Sequence, residues 1–352
     1  MKPFAWLAVF TLSLGWFTAA LAKDPPRSKP LVAIIAQNAG TEVTDLLVPF
    51  GILADSALVD VHAVALADGA VTLLPAPGAV ELPDTVATFD AAYARGADYV
   101  IVPAVVDPDA AALHTWLRAQ QSKGALIMSI CDGAKVLAQA GLLQGRAATA
   151  HWYSLTELRR QFPETNWRDD RRYIFDGKIA TTSGVSASVP ATFALLERIA
   201  GADATARYAG SLGVVTWSAA HDGAAFPKAR EKLDIAAGIR APAVTIERVG
   251  FALPERFDEA KAALAMDAYS RTDRSSVVMH SGDASEIRSR HGLVFRTDRG
   301  ARAYEFDESV MQRPLAQTLE ETLNEIERNY GVLAADRVAN QLEYVRARVH
   351  QP

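Results

Sequence analysis

The chain has one cysteine, Cys131, placed where a strand pattern gives way to a helix pattern. The apolar run 125–129 leads to Ile130 and Cys131, and Gly133 follows before apolar residues at helical spacing begin at Val136. A nucleophile at such a corner is displayed at the carboxyl edge of a sheet, beside a helix N-terminus whose partial positive charge favours thiolate over thiol. The pattern predicts a reactive cysteine, with a buried and inert thiol as the alternative.

Two ionisable residues close to Cys131 in the sequence are candidates for the same chemistry. His151 is a candidate general base or proton shuttle, because imidazole as a group ionises near neutral pH, although a structural histidine fits the pattern equally well. Asp132 opposes thiolate formation unless its carboxylate turns away, whereas its backbone N–H is placed to hold an oxyanion. Gly133 allows a tight turn and a close approach to neighbouring backbone.

The elements that must position these residues alternate between strands and helices. Strand patterns cover 30–36, 59–67, 98–104 and 125–131, and helix patterns cover 43–57, 88–95 and 189–201. Asp176-Gly177 predicts the turn of a hairpin within 173–184. This order predicts an α/β fold with a doubly wound parallel sheet, which binds ligands at the carboxyl edge of its strands.

The stretch from Ser129 to Trp152 resembles the signature of the ThiJ/PfpI superfamily, in particular the branch of isonitrile hydratases and the amidase-like domain of AraC-type regulators. It contains Cys-x-Gly, a helix ending in Ala-Gly-Leu-Leu, then Gly-Arg, a short strand and His-Trp. A second landmark is Asp45, four residues before Pro49. The resemblance implies a flavodoxin-like fold with Cys131 at a nucleophile elbow, commonly in a homodimer.

The resemblance also implies roles for two carboxyl residues that follow the first strand. It places Asp45 beside the sulfur, where a carboxyl group tunes the thiol pKa and stabilises oxidised or adduct forms. By position alone Asp45 would be an ordinary helix-face carboxylate. Glu42 lies three residues earlier on the same helical face and is a candidate for the pocket lining, although a glutamate at a helix start also suits the helix dipole.

Two loops complete the expected substrate pocket. Relatives have Gly-Gly after the proline of the third strand, where backbone N–H groups point towards the elbow, whereas this chain has Ala104-Val105. Side chains there hinder close backbone approach, which weakens the expectation of a family-type oxyanion hole. The small-residue turn at 181–188 places Ser183 and Gly184 as candidate lining, although such residues also simply make good turns.

The N-terminus has the features of a secretory signal peptide. Lys2 precedes an apolar stretch, and small residues at Ala20 and Ala22 match an A-x-A cleavage site before Lys23. We predict a signal peptide at 1–22 and a periplasmic or secreted mature protein; an uncleaved membrane anchor is the alternative. In an oxidising compartment a lone cysteine forms no internal disulfide.

The remaining chain divides into a linker at 23–29, a ThiJ/PfpI-like domain at 30–220 and an α/β extension at 221–352. Within the extension, 325–343 echoes 195–213, and 291–298 echoes 77–84. One interpretation is a degenerate half-copy that lacks the cysteine strand. The alternative is that amphipathic helices rich in Ala, Glu and Arg look alike by composition.

Composition and motifs narrow the function. The net charge of -5 and the lack of a clustered basic patch argue against a nucleic-acid partner, and no helix-turn-helix pattern supports the regulator reading of the family. No histidine or cysteine grouping predicts a metal, and no cofactor is expected. We expect a Cys-dependent hydrolase or hydro-lyase for a small carbonyl, amide or isonitrile-like substrate. A non-catalytic ligand-binding or redox-sensing protein is the alternative.

Overall fold

The computed structural model describes residues 27–76, 78–226, 246–298, 304–306 and 308–347. The predicted signal peptide at 1–22 lies outside the described residues. Within these ranges, no helix has both the length and the apolar character needed to cross a bilayer.

A seven-stranded sheet forms the centre of the first part of the chain. The strands of this part are β1 (Leu31–Ala36), β2 (Thr41–Glu42), β3 (Asp60–Ala65), β4 (Val71–Leu74), β5 (Ala79–Glu81), β6 (Asp84–Thr85), β7 (Tyr99–Val102), β8 (Leu126–Ser129), β9 (Ala147–Ala148), β10 (Asn166–Trp167), β11 (Tyr173–Asp176) and β12 (Ile179–Thr182). The sheet order is β11-β12-β8-β7-β1-β3-β6, and only the β11–β12 hairpin is antiparallel. This is a flavodoxin-like order, and its switch point lies between β1 and β7.

Helices cover both faces of this sheet. They are α1 (Val43–Ser56), α2 (Val86–Ala92), α3 (Ala111–Ser122), α4 (Gly133–Gln139), α5 (Trp152–Gln161), α6 (Ser188–Ala200) and α7 (Ala202–Ser211). Along β1 the side chains alternate between two apolar clusters, with Val32 and Ile34 in one and Leu31 and Ile35 in the other. A central strand buried on both faces explains why β1 is a continuous apolar run.

The C-terminal extension is an additional α/β region. Its elements are β13 (Glu247–Ala252), α8 (Glu259–Ser270), β14 (Ser275–His280), β15 (Glu286–Arg288), β16 (Val294–Arg296), β17 (Tyr304–Glu305), α9 (Ser309–Gln312), α10 (Leu315–Tyr330) and α11 (Val332–Gln341). Strands β14, β13 and β17 form a parallel sheet. A second sheet, β15-β16-β5-β4-β2, crosses from the extension to the first part and ties them together.

Helices α1 and α8 form the main contact between the two parts. Thr44 donates its Oγ1 hydrogen bond to Asp267 Oδ2 at 3.0 Å. At Gly51, an added Cβ would lie 3.0 Å from the Cβ of Ala260, so a glycine lets the two helices approach closely. Because α1 also carries Glu42 and Asp45 at its start, the extension packs directly against the helix that supplies the candidate carboxyl groups.

The predicted fold class is confirmed, and the strand and helix bounds differ by a few residues. The hairpin over 173–184 forms with Asp176-Gly177 at its turn. The strand predicted over 125–131 ends at Ser129, so Cys131 lies in the turn after β8 rather than on the strand. The sequence patterns did not indicate the second sheet, because its strands are short and pair with partners far along the chain.

Candidate active site

The candidate residues meet at the carboxyl edge of the central sheet, around its switch point. Asp45 follows β1, Ala104 follows β7, and Cys131 follows β8. These three strands are adjacent, in the order β8-β7-β1. The fold thereby collects residues from three distant segments into one place, as doubly wound sheets do for their ligands.

Cys131 occupies a strained turn between β8 and α4. Its φ is +54°, a left-handed conformation that non-glycine residues seldom adopt. The Cys131 N–H donates to Thr182 Oγ1 at 3.1 Å, which holds the turn against β12. The residue is only 6% exposed. Cys131 therefore lies in a strained turn with little access to solvent and not on an open surface.

Asp45 is a fully buried carboxyl group with one satisfied oxygen. Its Oδ2 accepts the Ala104 N–H at 3.0 Å, whereas its Oδ1 is buried without a hydrogen-bond partner. Burial raises the pKa of Asp45 to about 7. The hydrogen bond from the Ala104 N–H and the neighbouring Glu42 side chain act in the opposite direction. Asp45 therefore exchanges its proton near neutral pH, as a general acid or base must.

Glu42 caps the helix that carries Asp45. Its Oε2 accepts the Asp45 N–H at 2.6 Å, and its Oε1 accepts a hydrogen bond from Arg271 Nη2 at 3.0 Å. Burial and the nearby charges of Asp267 and Asp45 raise the pKa of Glu42, while Arg271 opposes this rise. Glu42 is more central than its sequence position suggested, because it links the start of α1 to a cation.

Arg271 brings the extension into the site. It follows α8 and binds Asp267 Oδ1 through Nε at 2.7 Å, as well as Glu42. Burial alone would lower the pKa of Arg271. The charges of Asp267 and Glu42 outweigh this effect and raise the pKa above its ordinary value, so the guanidinium stays charged. Sequence reasoning missed Arg271 and Asp267, since neither lies in a recognisable motif and Arg271 is 229 residues from Glu42.

The thiol itself is held in its protonated form. Burial raises the pKa of Cys131 well above its ordinary value, and the charges of Asp45, Asp132 and Glu42 raise it further, against Arg271. The expectation that the helix start acidifies the thiol is therefore wrong. Helix α4 contributes its dipole, but loss of solvent and surrounding carboxylates outweigh it.

A family model described as DJ-1/PfpI family matches residues 31–198, which hold Cys131, Asp45 and the strands that position them. The chain contains a DJ-1/PfpI family domain.

Relatives of this domain differ in what their names describe. The HTH-type transcriptional regulator GlxA of Rhizobium meliloti is 40% identical over 95 residues, which cover 27% of this chain and 29% of the regulator. Isonitrile hydratase of Pseudomonas putida is 31% identical over 90 residues, 25% of this chain and 37% of the hydratase. The chain therefore spans about a third of each relative's length. The solved structure of Drosophila melanogaster DJ-1beta is 22% identical, with a TM-score of 0.46, over 53% of this chain and 98% of that one.

In this DJ-1/PfpI domain His151 has a structural place. Its Nε2 donates to the Gln341 carbonyl at 2.9 Å, and its Nδ1 accepts the Tyr153 N–H at 3.2 Å. With both ring nitrogens engaged by backbone groups, neither is left to accept a proton from Cys131. The predicted general-base role of His151 is therefore corrected: this side chain caps helix α5 and anchors the end of α11.

The loop after β7 uses its backbone groups within the protein and does not point them at the elbow. The Ala104 carbonyl accepts the Glu42 N–H at 2.9 Å, and the Ala104 N–H is taken by Asp45. Val106 donates its N–H to the Gly40 carbonyl at 3.0 Å. The loop is thus paired along the segment before α1, and Ala104 positions Asp45 instead of contacting a substrate oxygen.

The turn with Ser183 and Gly184 is covered by the end of the extension. The carboxylate of Glu343 accepts the Gly184 N–H at 2.6 Å and the Trp152 N–H at 3.2 Å, and it pairs with His221 at 2.7 Å. Ser183 is buried as well. The predicted role of Ser183 and Gly184 as open pocket lining is therefore corrected, because Glu343 occupies the position that a ligand would take at Gly184.

Asp132 contacts neighbouring helices. Its Oδ2 accepts hydrogen bonds from Lys135 Nζ at 2.7 Å and from Ser154 Oγ at 2.8 Å, while its Oδ1 is buried without a partner. The lysine offsets part of its charge beside the thiol. In the part of the chain that the structure describes, no group of three or more His, Cys, Asp or Glu side chains is arranged to hold a metal ion.

Gly133 is expected to tolerate no side chain. A Cβ there would lie 2.1 Å from the Val102 carbonyl oxygen and 3.0 Å from that of Pro103, both on the backbone. We expect Gly133→Ala to lower the free energy of unfolding by about 1–3 kcal/mol, as overpacking does. Gly210→Ala is the control, because Gly210 lies in α7 with no atom near its added Cβ, and helix propensity there favours alanine by about 1 kcal/mol. Denaturant unfolding compares the two, and equal stability of Gly133→Ala and wild type would contradict the packing described.

Proposed function

We propose that this DJ-1/PfpI protein converts a small neutral electrophile of the carbonyl, amide or isonitrile type, with Cys131 as nucleophile at the elbow and Asp45 as its acid and base. The observation that carries the proposal is Asp45 Oδ1, a buried oxygen without a partner on a carboxyl group whose pKa lies near 7. A buried polar atom without a partner is costly unless a ligand or a proton uses it.

The proton balance of the addition follows from the two pKa shifts. At neutral pH the thiol keeps its proton and Asp45 is partly ionised. As the sulfur forms its bond to the electrophilic carbon, the thiol proton passes to Asp45, which then delivers it to the substrate atom that gains the electron pair. For an amide, the amine leaves with that proton, and water then cleaves the thioester and restores the thiol.

The site favours uncharged substrates for an electrostatic reason. Three buried carboxyl groups, those of Glu42, Asp45 and Asp267, surround one cation, Arg271, whose side chain is 17% exposed. An anionic ligand would place a further negative charge beside these carboxyl groups in a medium of low dielectric. A neutral ligand avoids that cost and accepts a hydrogen bond from protonated Asp45.

Ligand binding or redox sensing without turnover is the second candidate, and one observation favours it. The Ala104 N–H, which would support an oxyanion, is committed to Asp45. An adduct or a sulfenic acid at Cys131 could then be stabilised by Asp45 without being turned over.

Turnover assays distinguish the two candidates. A panel of small aldehydes, amides and isonitriles is incubated with wild type, Cys131→Ala, Asp45→Asn and the exposed control Asp109→Asn. We expect turnover by wild type that is lost in Cys131→Ala and Asp45→Asn and kept in Asp109→Asn. Adduct formation at Cys131 by mass spectrometry without product release supports the second candidate, and neither adduct nor product overturns both.

We also propose export of the mature protein, on the strength of the N-terminal sequence alone. The supporting features are Lys2, the apolar stretch and the Ala20 and Ala22 pair before Lys23. We expect the mature chain from a bacterial host to begin at Lys23 in the periplasmic fraction, as read by intact-mass spectrometry. An unprocessed chain in the membrane fraction would instead indicate an anchor, and an unprocessed chain in the cytosol would contradict export.

A further inference from the structure

The helices α1 and α8 pack antiparallel in a register that matches a shift along the chain. Adding 247 − 31 = 216 to residue numbers converts β1 into β13 and places Thr44 on Ala260 and Gly51 on Asp267. Gly51 faces Ala260, and Thr44 bonds to Asp267, so each contact converts into the other under this shift. Antiparallel packing gives such an exchange in one register, and here that register is the one that also places β1 on β13.

Strand positions and helix ends agree with a repeat. With the shift of 214 between Gly78 and Gly292, Val80 and Glu81 of β5 fall on Val294 and Phe295 of β16. Gly201 ends α6 with φ 85° and ψ 163°, and Gly331 ends α10 with φ 88° and ψ 163°. Independent segments thus support a repeat whose second unit is shortened.

This relation locates the counterpart of the Cys131 centre. The shift of 216 places Glu42 on Asp258 and Asp45 on Lys261. Asp258 caps α8 by accepting the Lys261 N–H at 3.1 Å, as Glu42 caps α1 by accepting the Asp45 N–H. The second unit therefore keeps the cap but has a cation where the first has its acid.

The strand that would carry a second elbow is absent between β17 and α9, which are separated only by residues 306–308. A cavity of about 240 Å³ lies at this place. Its apolar lining includes Phe251, Phe257, Phe306 and Met311. The volume is below the about 300–1,000 Å³ of pockets for drug-sized ligands, so a small molecule would fit.

The charged lining of the cavity favours an anion. Lys261, Arg256 and Arg290 line the cavity together with the carboxylates of Asp258 and Glu308. Arg290 is paired with Asp258 at 3.2 Å, which leaves Lys261 and Arg256 against Glu308. Lys261 is 14% exposed and uses one N–H on the Met311 carbonyl at 3.2 Å, and its contact with Asp258 is a long 4.0 Å. The ammonium group has three donors, so it can bind a ligand without losing the Met311 contact.

We propose that this cavity binds a small organic anion, a monocarboxylate with an apolar body. The carboxylate would lie against Lys261, and the apolar body would lie among the phenylalanines. This site is separate from Cys131, and the proposal does not depend on the chemistry there.

Fluorine NMR with 4-fluorobenzoate as the probe tests the proposal on the full mature chain. We expect saturable binding, at least tenfold weaker in Lys261→Met and unchanged in Lys178→Met, whose lysine contacts Gly124 on the opposite part of the chain. We expect the neutral 4-fluorobenzamide to bind at least tenfold more weakly than the benzoate. Cys131→Ala should bind the benzoate as wild type does.

Three outcomes would overturn the proposal. These are no saturable benzoate binding, equal affinity of wild type and a folded Lys261→Met variant, and loss of binding in Cys131→Ala. The last would place the probe at the Cys131 centre. Arg256→Met provides a second variant if Lys261→Met fails to fold, and equal affinity of that variant would have the same meaning.

Discussion

Arg271→Met is expected to lower the free energy of unfolding at neutral pH by about 3–5 kcal/mol, the cost of leaving a buried charge without its partner. Arg271 neutralises Glu42 and the fully buried Asp267, and it holds the start of α1 against α8. The loss should shrink as the pH falls, because Glu42, whose pKa burial raises, then takes up a proton. Denaturant unfolding at several pH values measures it.

Two controls separate this effect from general damage. Arg337→Met removes an exposed ion pair with Asp273 and should change stability by less than about 1 kcal/mol. Adding Asp267→Asn to Arg271→Met should recover part of the loss, because it removes one of the uncompensated charges. If Arg271→Met were no more costly than Arg337→Met, the buried cluster would not have the charge balance described.

Asp45→Asn is expected to change the pH dependence of Cys131 alkylation in an unusual direction. In wild type, Asp45 becomes charged near pH 7 and opposes a second negative charge on the thiol, so the rate should rise up to about pH 7 and then level off. In the variant the thiol titrates alone, and the rate should rise tenfold per pH unit towards its own raised pKa. Because pH 9 lies two pH units above the start of the wild-type plateau, the variant should react about a hundredfold faster than wild type at pH 9.

The same substitution should abolish turnover, because the substrate loses its proton donor. Iodoacetamide kinetics over pH 6–9 give the profile, with Asp109→Asn as the control that should match wild type. Below pH 7 the folded protein should also react more slowly than the unfolded chain, since burial disfavours the thiolate. A wild-type profile without a break near pH 7 would contradict the effect of the Asp45 charge on the thiol.

Stability should also depend on Asp45 with a defined sign. The folded-state pKa of about 7 lies above the ordinary value of 3.8, so the folded state binds the additional proton. The stabilisation is complete below the unfolded pKa and is lost as the pH rises through about 7.

The sequence predicted the parts of the site that depend on local patterns. The β-branched run of β1 and the glycine at 133 are local features, and the resemblance located Asp45 beside Cys131. The contributions of the extension were not predictable, because Arg271 and Glu343 reach the site only through packing of α8 and α11. His151 shows the opposite error, since its motif indicates chemistry and its tertiary contacts show a helix cap.

The prediction of a lowered pKa for the Cys131 thiol failed for a physical reason as well. Sequence position reveals a helix start and its dipole, but not the depth of burial or the carboxylates that surround the sulfur. Both depend on Glu42, Asp45 and Asp132 meeting at one sheet edge, which the order of elements indicated only in outline.

The central claim is that Asp45 is a buried acid that titrates near neutral pH and whose charge opposes ionisation of the Cys131 thiol. A carbon-13 NMR titration of the Asp45 carboxyl, assigned by its absence in Asp45→Asn, tests this most directly. We predict a midpoint near pH 7. A midpoint near the ordinary value of 3.8 would contradict the account.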